Sequence, residues 1–279
     1  MSTAPVAPAR PASITDWIRE HRIVVFFVLV FVVSWWSWPL YVVGLAPAPF
    51  FEWGPLVAAV VVIGITEGRR GYREWGARLL RWRVGWVWWV VALGTPLVVL
   101  AVASAANVVV WGAPVPVLAQ LPLSTLLLFA ALRFVNPLDG PLGEEPGWRG
   151  YALPELQSRR SPLAATLVLA PIVALWHLPL VTSGKLALIG LPATVAITFF
   201  YTWLFNRTGG SVLLTLVFHV AQGTFSYGEL GFTGADAARM DWLVAVLWCA
   251  LAVVLVVADR EVWRAAPESA IARHRPVVA

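Results

Sequence analysis

Two histidines and two glutamates in this chain stand where ionisable groups are costly. His177 lies in Ala174-Leu175-Trp176-His177-Leu178-Pro179 and His219 in Leu216-Val217-Phe218-His219-Val220-Ala221, both inside apolar runs, whereas His21 and His274 lie in the polar flanks. Glu144 and Glu145 occupy Gly143-Glu144-Glu145-Pro146-Gly147-Trp148-Arg149-Gly150-Tyr151, shortly after an apolar stretch broken by Asn136-Pro137 and Gly140-Pro141. An acidic or basic group in a membrane span costs on the order of 3 kcal/mol on insertion scales, so those that persist point to function. Taken singly, either histidine is more often a helix-to-helix hydrogen bond than a site residue. The acid pair alone is equally a helix cap with an arginine in the same turn. Taken together, Glu144, His177 and His219 form the ligand set of many catalytic zinc sites, with a fourth position for water. The same set also serves as a metal-free base with hydrogen-bond donors. The spacing is not His-Glu-x-x-His, so separate helices must bring the residues together.

Local chemistry divides the two glutamates. Pro146 is tolerated in a first helical turn, which predicts a helix beginning near Gly143 with both carboxylates at its positive end. Glu145 and Arg149 are then four residues apart and can pair along one face. Glu144 points about 100° away, without a local cation, and is left to take a proton from water.

These residues must be held by elements suited to lipid. The 279-residue chain is 59% apolar and only 13% charged, with a mean hydropathy of +0.77, outside the range of soluble globular domains. Bilayer-length or near-bilayer-length runs fall at 23–43, 51–66, 86–110, 123–137, 162–180, 186–205, 211–227 and 241–258. The expected fold is therefore all-α, a polytopic membrane protein of about eight transmembrane helices. The first run exceeds a secretory h-region, about 7–15 residues, and reads as a retained span.

Arginines at 10, 19, 22, 69, 70, 73, 78, 81, 83, 149, 159, 160, 207, 260, 264, 273 and 275 fall on one side of that topology, and only Lys185 and Arg239 on the other. The bias predicts cytoplasmic termini in what reads as a bacterial plasma membrane. It also accounts for the net charge of +5 and the pI near 10.0 without nucleic acid as a partner. Membrane lipid is a partner, because residues 67–85 alternate arginines with Tyr72, Trp75, Leu79, Leu80 and Trp82 in the pattern of an interfacial helix. The single cysteine, Cys249, provides neither a disulfide framework nor a thiolate site.

The expected organisation is a disordered cytoplasmic N-terminus over 1–22, N-terminal transmembrane helices over 23–122, a core over 123–227 that holds the glutamates and both apolar-run histidines, and a last helix with its tail over 228–279.

Glu144-Glu145-Pro146-Gly147-Trp148-Arg149-Gly150-Tyr151-Ala152-Leu153-Pro154 resembles the first motif, Glu-Glu-x-x-x-Arg, of the CAAX-protease and bacteriocin-processing (CPBP, or Abi) family. Trp176-His177-Leu178-Pro179 resembles its second motif, and Asn206-Arg207-Thr208-Gly209-Gly210-Ser211 leading to Phe218-His219 resembles the approach to its third. Order and spacing agree over roughly 123–227. The resemblance implies an intramembrane endopeptidase, a hydrolase acting on a membrane-associated protein or peptide, whose site is Glu144, Glu145, Arg149, His177 and His219. In it Glu144 and His177 activate water, and His219 helps to stabilise the oxyanion. A zinc ion on Glu144, His177 and His219 is one form such a site could take.

Two positions depart from the pattern. Val173 stands where the family often has Phe, and Gly223 where it often has Asn. Loss of that amide would remove roughly 3 kcal/mol of transition-state stabilisation unless Gln222, Thr224 or Ser226 replaces it. Gly223 also motivates the alternative, a non-catalytic membrane scaffold or bacteriocin-immunity-type protein that keeps the fold. A transporter fits less well, since no inverted repeat is evident.

Overall fold

The structure is a computed structural model describing residues 13–116, 123–136, 140–224 and 230–267, and every regular element among them is helical. α1 (Ile14–Glu20) begins at a capping box in which Ser13 and Asp16 each bond the other's backbone. The expected disorder over 1–22 therefore fails from Ser13 onward, because this local cap satisfies the first turn. Residues 1–12 lie outside the described residues.

α2 (Arg22–Trp35) and α3 (Trp38–Val42) together make the first apolar crossing. α4 (Gly54–Thr66) returns beside α2, and α5 (Gly68–Leu79) carries the basic segment. α6 (Trp86–Trp111) is the longest helix described, and α7 (Leu123–Val135) follows it. Next come α8 (Gly140–Gly147), a π turn over Trp148–Ala152, and α9 (Leu153–Gln157). α10 (Pro162–Trp176) and α11 (Leu178–Thr182) share one apolar run. α12 (Gly190–Arg207), α13 (Val212–Thr224), α14 (Gly234–Ala258) and α15 (Arg260–Trp263) are the remaining described helices.

Among the described residues, four stretches are long and apolar enough to cross a membrane: Arg22–Val42, Trp86–Trp111, Pro162–Thr182 and Gly234–Ala258. Shorter apolar helices, among them Gly54–Thr66 and Val212–Thr224, pack between them. The outward faces are apolar, with Val24, Val28 and Val32 on α2 and Val253, Val254 and Val257 on α14 exposed, as lipid in place of water permits. The protein is thus a polytopic all-α membrane protein.

Counting apolar runs hides one helix. Gly140–Gln157 continues through α8, the π turn and α9 for about 27 Å at 1.5 Å per residue, and every residue of its α8 and π-turn part except Leu142 is buried. Its sequence is too polar to register as a span, because protein rather than lipid surrounds it. The helix is already formed at Gly140, the first residue described there, rather than beginning near Gly143, so Pro146 is interior rather than in the first turn. Pro146 has no N–H to donate to the preceding turn, and the ladder loosens into the π turn directly after it.

α5 supports this weak point. The Trp75 indole N–H donates to Pro146 O at 2.9 Å, and Arg78 Nε donates to Gly150 O at 3.2 Å. The segment expected to be interfacial therefore has a second face that satisfies carbonyls exposed by the π turn. At the far end of the site helix, Glu155 accepts from Arg22 Nε at 2.7 Å, tying α9 to the start of α2.

Candidate active site

The site helix presents Glu144 and Glu145 side by side, 5% and 0% exposed. Glu145 Oε1 accepts from Arg149 Nη1 at 2.9 Å, the expected i,i+4 pair, and the arginine is itself only 2% exposed. The guanidinium also lies over the Tyr201 ring of α12, 3.6 Å from its centroid. Glu145 has a further partner beyond local spacing: His219 Nδ1 donates to the same oxygen at 3.0 Å. The carboxylate fixes that nitrogen as the protonated one and leaves Nε2 to exchange a proton elsewhere.

His219 is held on α13 by its neighbours. Gly209 and Gly210 adopt φ of 62° and 87°, a left-handed pair that reverses the chain between α12 and α13. Ser211 then caps α13 by accepting from Leu214 N at 3.2 Å, and its own hydroxyl donates to Arg81 O. Phe218, fully buried against Phe200, Tyr201 and Trp248, sets the rotation of the helix.

His177 owes its position to a helix break. Pro179 cannot continue the α10 ladder, so α10 ends at Trp176 and α11 begins after His177. Trp35 Nε1–H donates to the Trp176 carbonyl at 3.1 Å. His177 Nδ1–H donates to Val173 O at 2.8 Å, again leaving Nε2 for the cavity.

Glu144, Arg149, His177, Tyr201 and His219 line one cavity of about 170 Å³, room for several water molecules. Gln222, one of the residues expected to compensate for Gly223, also lines it. Thr224 is buried at the end of α13, and Ser226 lies outside the described residues.

Two further charged residues join the group. A Cβ placed on Gly140 would lie 2.9 Å from Glu144 Oε1, 3.3 Å from Glu52 Oε2 and 3.6 Å from His219 Nε2, so three functional atoms surround one glycine. Glu52 precedes α4, and both it and Arg133 of α7 act electrostatically on Glu144. Glu144 is therefore not without a cation: Arg149 and Arg133 both bear on it, because α7 packs against α8 and α13. Sequence reasoning passed over Glu52 in Phe50-Phe51-Glu52-Trp53 and Arg133 in Ala131-Leu132-Arg133-Phe134. The signal was present, since each is a lone charge in an apolar stretch.

The donor types of Glu144, His177 and His219 suit zinc, but their placement does not. Among the described residues no three His, Cys, Asp or Glu side chains gather closely enough to hold a metal ion.

Buried carboxylate–imidazole and carboxylate–guanidinium pairs beside a small cavity can hold a water molecule and exchange a proton with it. Residues 122–225 match the family described as type II CAAX prenyl endopeptidase Rce1-like. Over 88 residues the chain is 32% identical to CAAX prenyl protease 2 of Methanococcus maripaludis, an alignment covering 27% of this chain and 32% of that protein. The chain thus spans about a third of that relative's length. The matched segment is similar to the CAAX-protease (CPBP) family, and it contains all five residues of the three motifs.

Proposed function

We propose that the chain is an intramembrane endopeptidase in which Glu144 takes a proton from water as the water adds to a scissile carbonyl. The observation that carries this reading is the convergence of Glu144 Oε1 and His219 Nε2 on one point, beside a cavity that His177 also lines. His177, its Nδ1 engaged by Val173 O, offers Nε2 to orient the water. His219, positioned by Glu145, receives that proton from Glu144 at Nε2, donates it to the developing oxyanion and passes it to the departing amine as the C–N bond breaks. Glu145 and Arg149 are the positioning pair.

The substrate is a membrane-associated protein or peptide. The relative's name favours a prenylated C-terminal tail, and the basic α5 favours approach from an anionic, cytoplasmic leaflet. The test uses purified protein in liposomes with two internally quenched probes, a farnesylated CAAX peptide and an unlipidated transmembrane peptide. Cleavage of either that is lost in both Glu144→Gln and His177→Ala, with the variants still folded, supports the reading. Cleavage unchanged in both variants, or no cleavage by wild type, favours the scaffold alternative.

A further inference from the structure

Gly223 lies four residues after His219, so the two positions share one face of α13. The space beside Gly223 is filled by Arg133. A Cβ on Gly223 would meet Arg133 Nη2 at 2.6 Å, Cζ at 2.9 Å and Nε at 3.4 Å. The guanidinium therefore rests against the bare backbone of α13, in room that only glycine leaves. α7 is otherwise apolar apart from Ser124 and Thr125, so a cation there is costly and its placement is specific. The same guanidinium acts on both Glu144 and Tyr201, two residues that line the cavity.

We infer that Arg133 is an oxyanion donor of this site, reaching it from α7 through the gap at Gly223. The inference rests on the endopeptidase reading. As water adds to the scissile carbon, a C–O bond forms, the water proton passes to Glu144, and the carbonyl π pair moves to oxygen. An N–H of Arg133 donates to that oxygen. Collapse restores the carbonyl, breaks the C–N bond and passes the proton taken up by Glu144 to the amine nitrogen through His219 Nε2. The guanidinium gives and takes no proton, consistent with its chemistry. A charged planar donor held before the reaction begins stabilises the transition state more than the bound substrate. Gly223 is on this view the admission gap for a donor supplied by another helix.

The test compares Arg133→Ala, Arg133→Lys, Gly223→Ala, Gly223→Asn and Arg133→Ala/Gly223→Asn with wild type and Glu144→Gln, using the full chain in liposomes and the quenched probe that wild type cleaves. Arg133→Ala is expected to lower kcat about 10²- to 10³-fold with KM little changed. Gly223→Ala keeps the charge but displaces the guanidinium, and is expected to lower kcat as well. The double variant is expected to recover at least about tenfold over Arg133→Ala, because an amide at 223 enters the vacated space. Should Arg133→Ala fail to fold, Arg133→Lys and Gly223→Ala decide the matter through the same kcat and KM split. A kcat within about threefold of wild type in the folded Arg133 variant, with Glu144→Gln inactive, overturns the inference and leaves the endopeptidase reading intact. Equal losses in Arg133→Ala and the double variant also overturn it. Wild type cutting neither probe counts against both.

Discussion

Replacing Arg149 with Leu is the most demanding perturbation of the site. The guanidinium is 2% exposed and pairs with a carboxylate that is 0% exposed, so its removal leaves Glu145 charged and buried with the His219 imidazole and the Thr215 hydroxyl as its remaining partners. Breaking a buried pair in this way costs about 3–5 kcal/mol, and loss of the stacking over Tyr201 adds up to about 2 kcal/mol. At roughly 2–4 °C per kcal/mol for a chain of this size, the thermal midpoint should fall by at least about 6 °C. Adding Glu145→Leu removes the orphaned carboxylate, so the double variant should regain most of the loss apart from the Tyr201 contact. It should remain inactive, because His219 no longer has the carboxylate that orients it. The assay is thermal unfolding in detergent, followed by intrinsic fluorescence, with all four members of the cycle reconstituted for peptide cleavage. A double variant no more stable than Arg149→Leu would refute the claim that the unpaired charge, rather than lost packing, dominates.

Gly147→Ala places a methyl on the Pro55 backbone carbonyl, where neither helix can give. It should destabilise by about 1–3 kcal/mol or more in the same thermal assay, whereas Gly76→Ala, with no atom within 4 Å of its added Cβ, should be neutral or stabilising by up to about 1 kcal/mol. Trp75→Phe removes the donor to Pro146 O and should cost about 1–3 kcal/mol, seen as faster amide exchange across 146–152. Burial raises the Asp259 carboxyl, but bonds from Arg207 and the Trp203 indole outweigh it and hold the group below the usual carboxylate value. Its stabilising contribution is therefore complete above about pH 4, the unfolded value, and is lost as pH falls through the lower folded value. The midpoint difference between wild type and Asp259→Asn should shrink across that acidic window. Chelation with 1,10-phenanthroline should leave cleavage unchanged, and a loss restored by added zinc would refute the metal-free reading.

Several features follow directly from the order of residues. Long continuous apolar runs separated by arginine-rich loops dictate membrane helices, since a helix satisfies its own backbone in lipid and a barrel strand would be short and alternating. The spacing of Glu145 and Arg149 encodes their pairing, and Pro179 encodes the break that exposes His177, because both act within one helical turn. Partners distant in sequence were not legible. His219 and Glu145 are 74 residues apart, and no local period records that one orients the other. Only packing joins Glu52 from the approach to α4 and Arg133 from α7 to a cluster whose motifs lie elsewhere. Burial also hides the site helix from hydropathy: Gly140–Gln157 can be polar because protein surrounds it. Gly223 shows the same limit. In sequence it is a missing amide, and in the fold it is the space occupied by a guanidinium from another helix, because side-chain volume is shared between neighbours in space rather than in chain order.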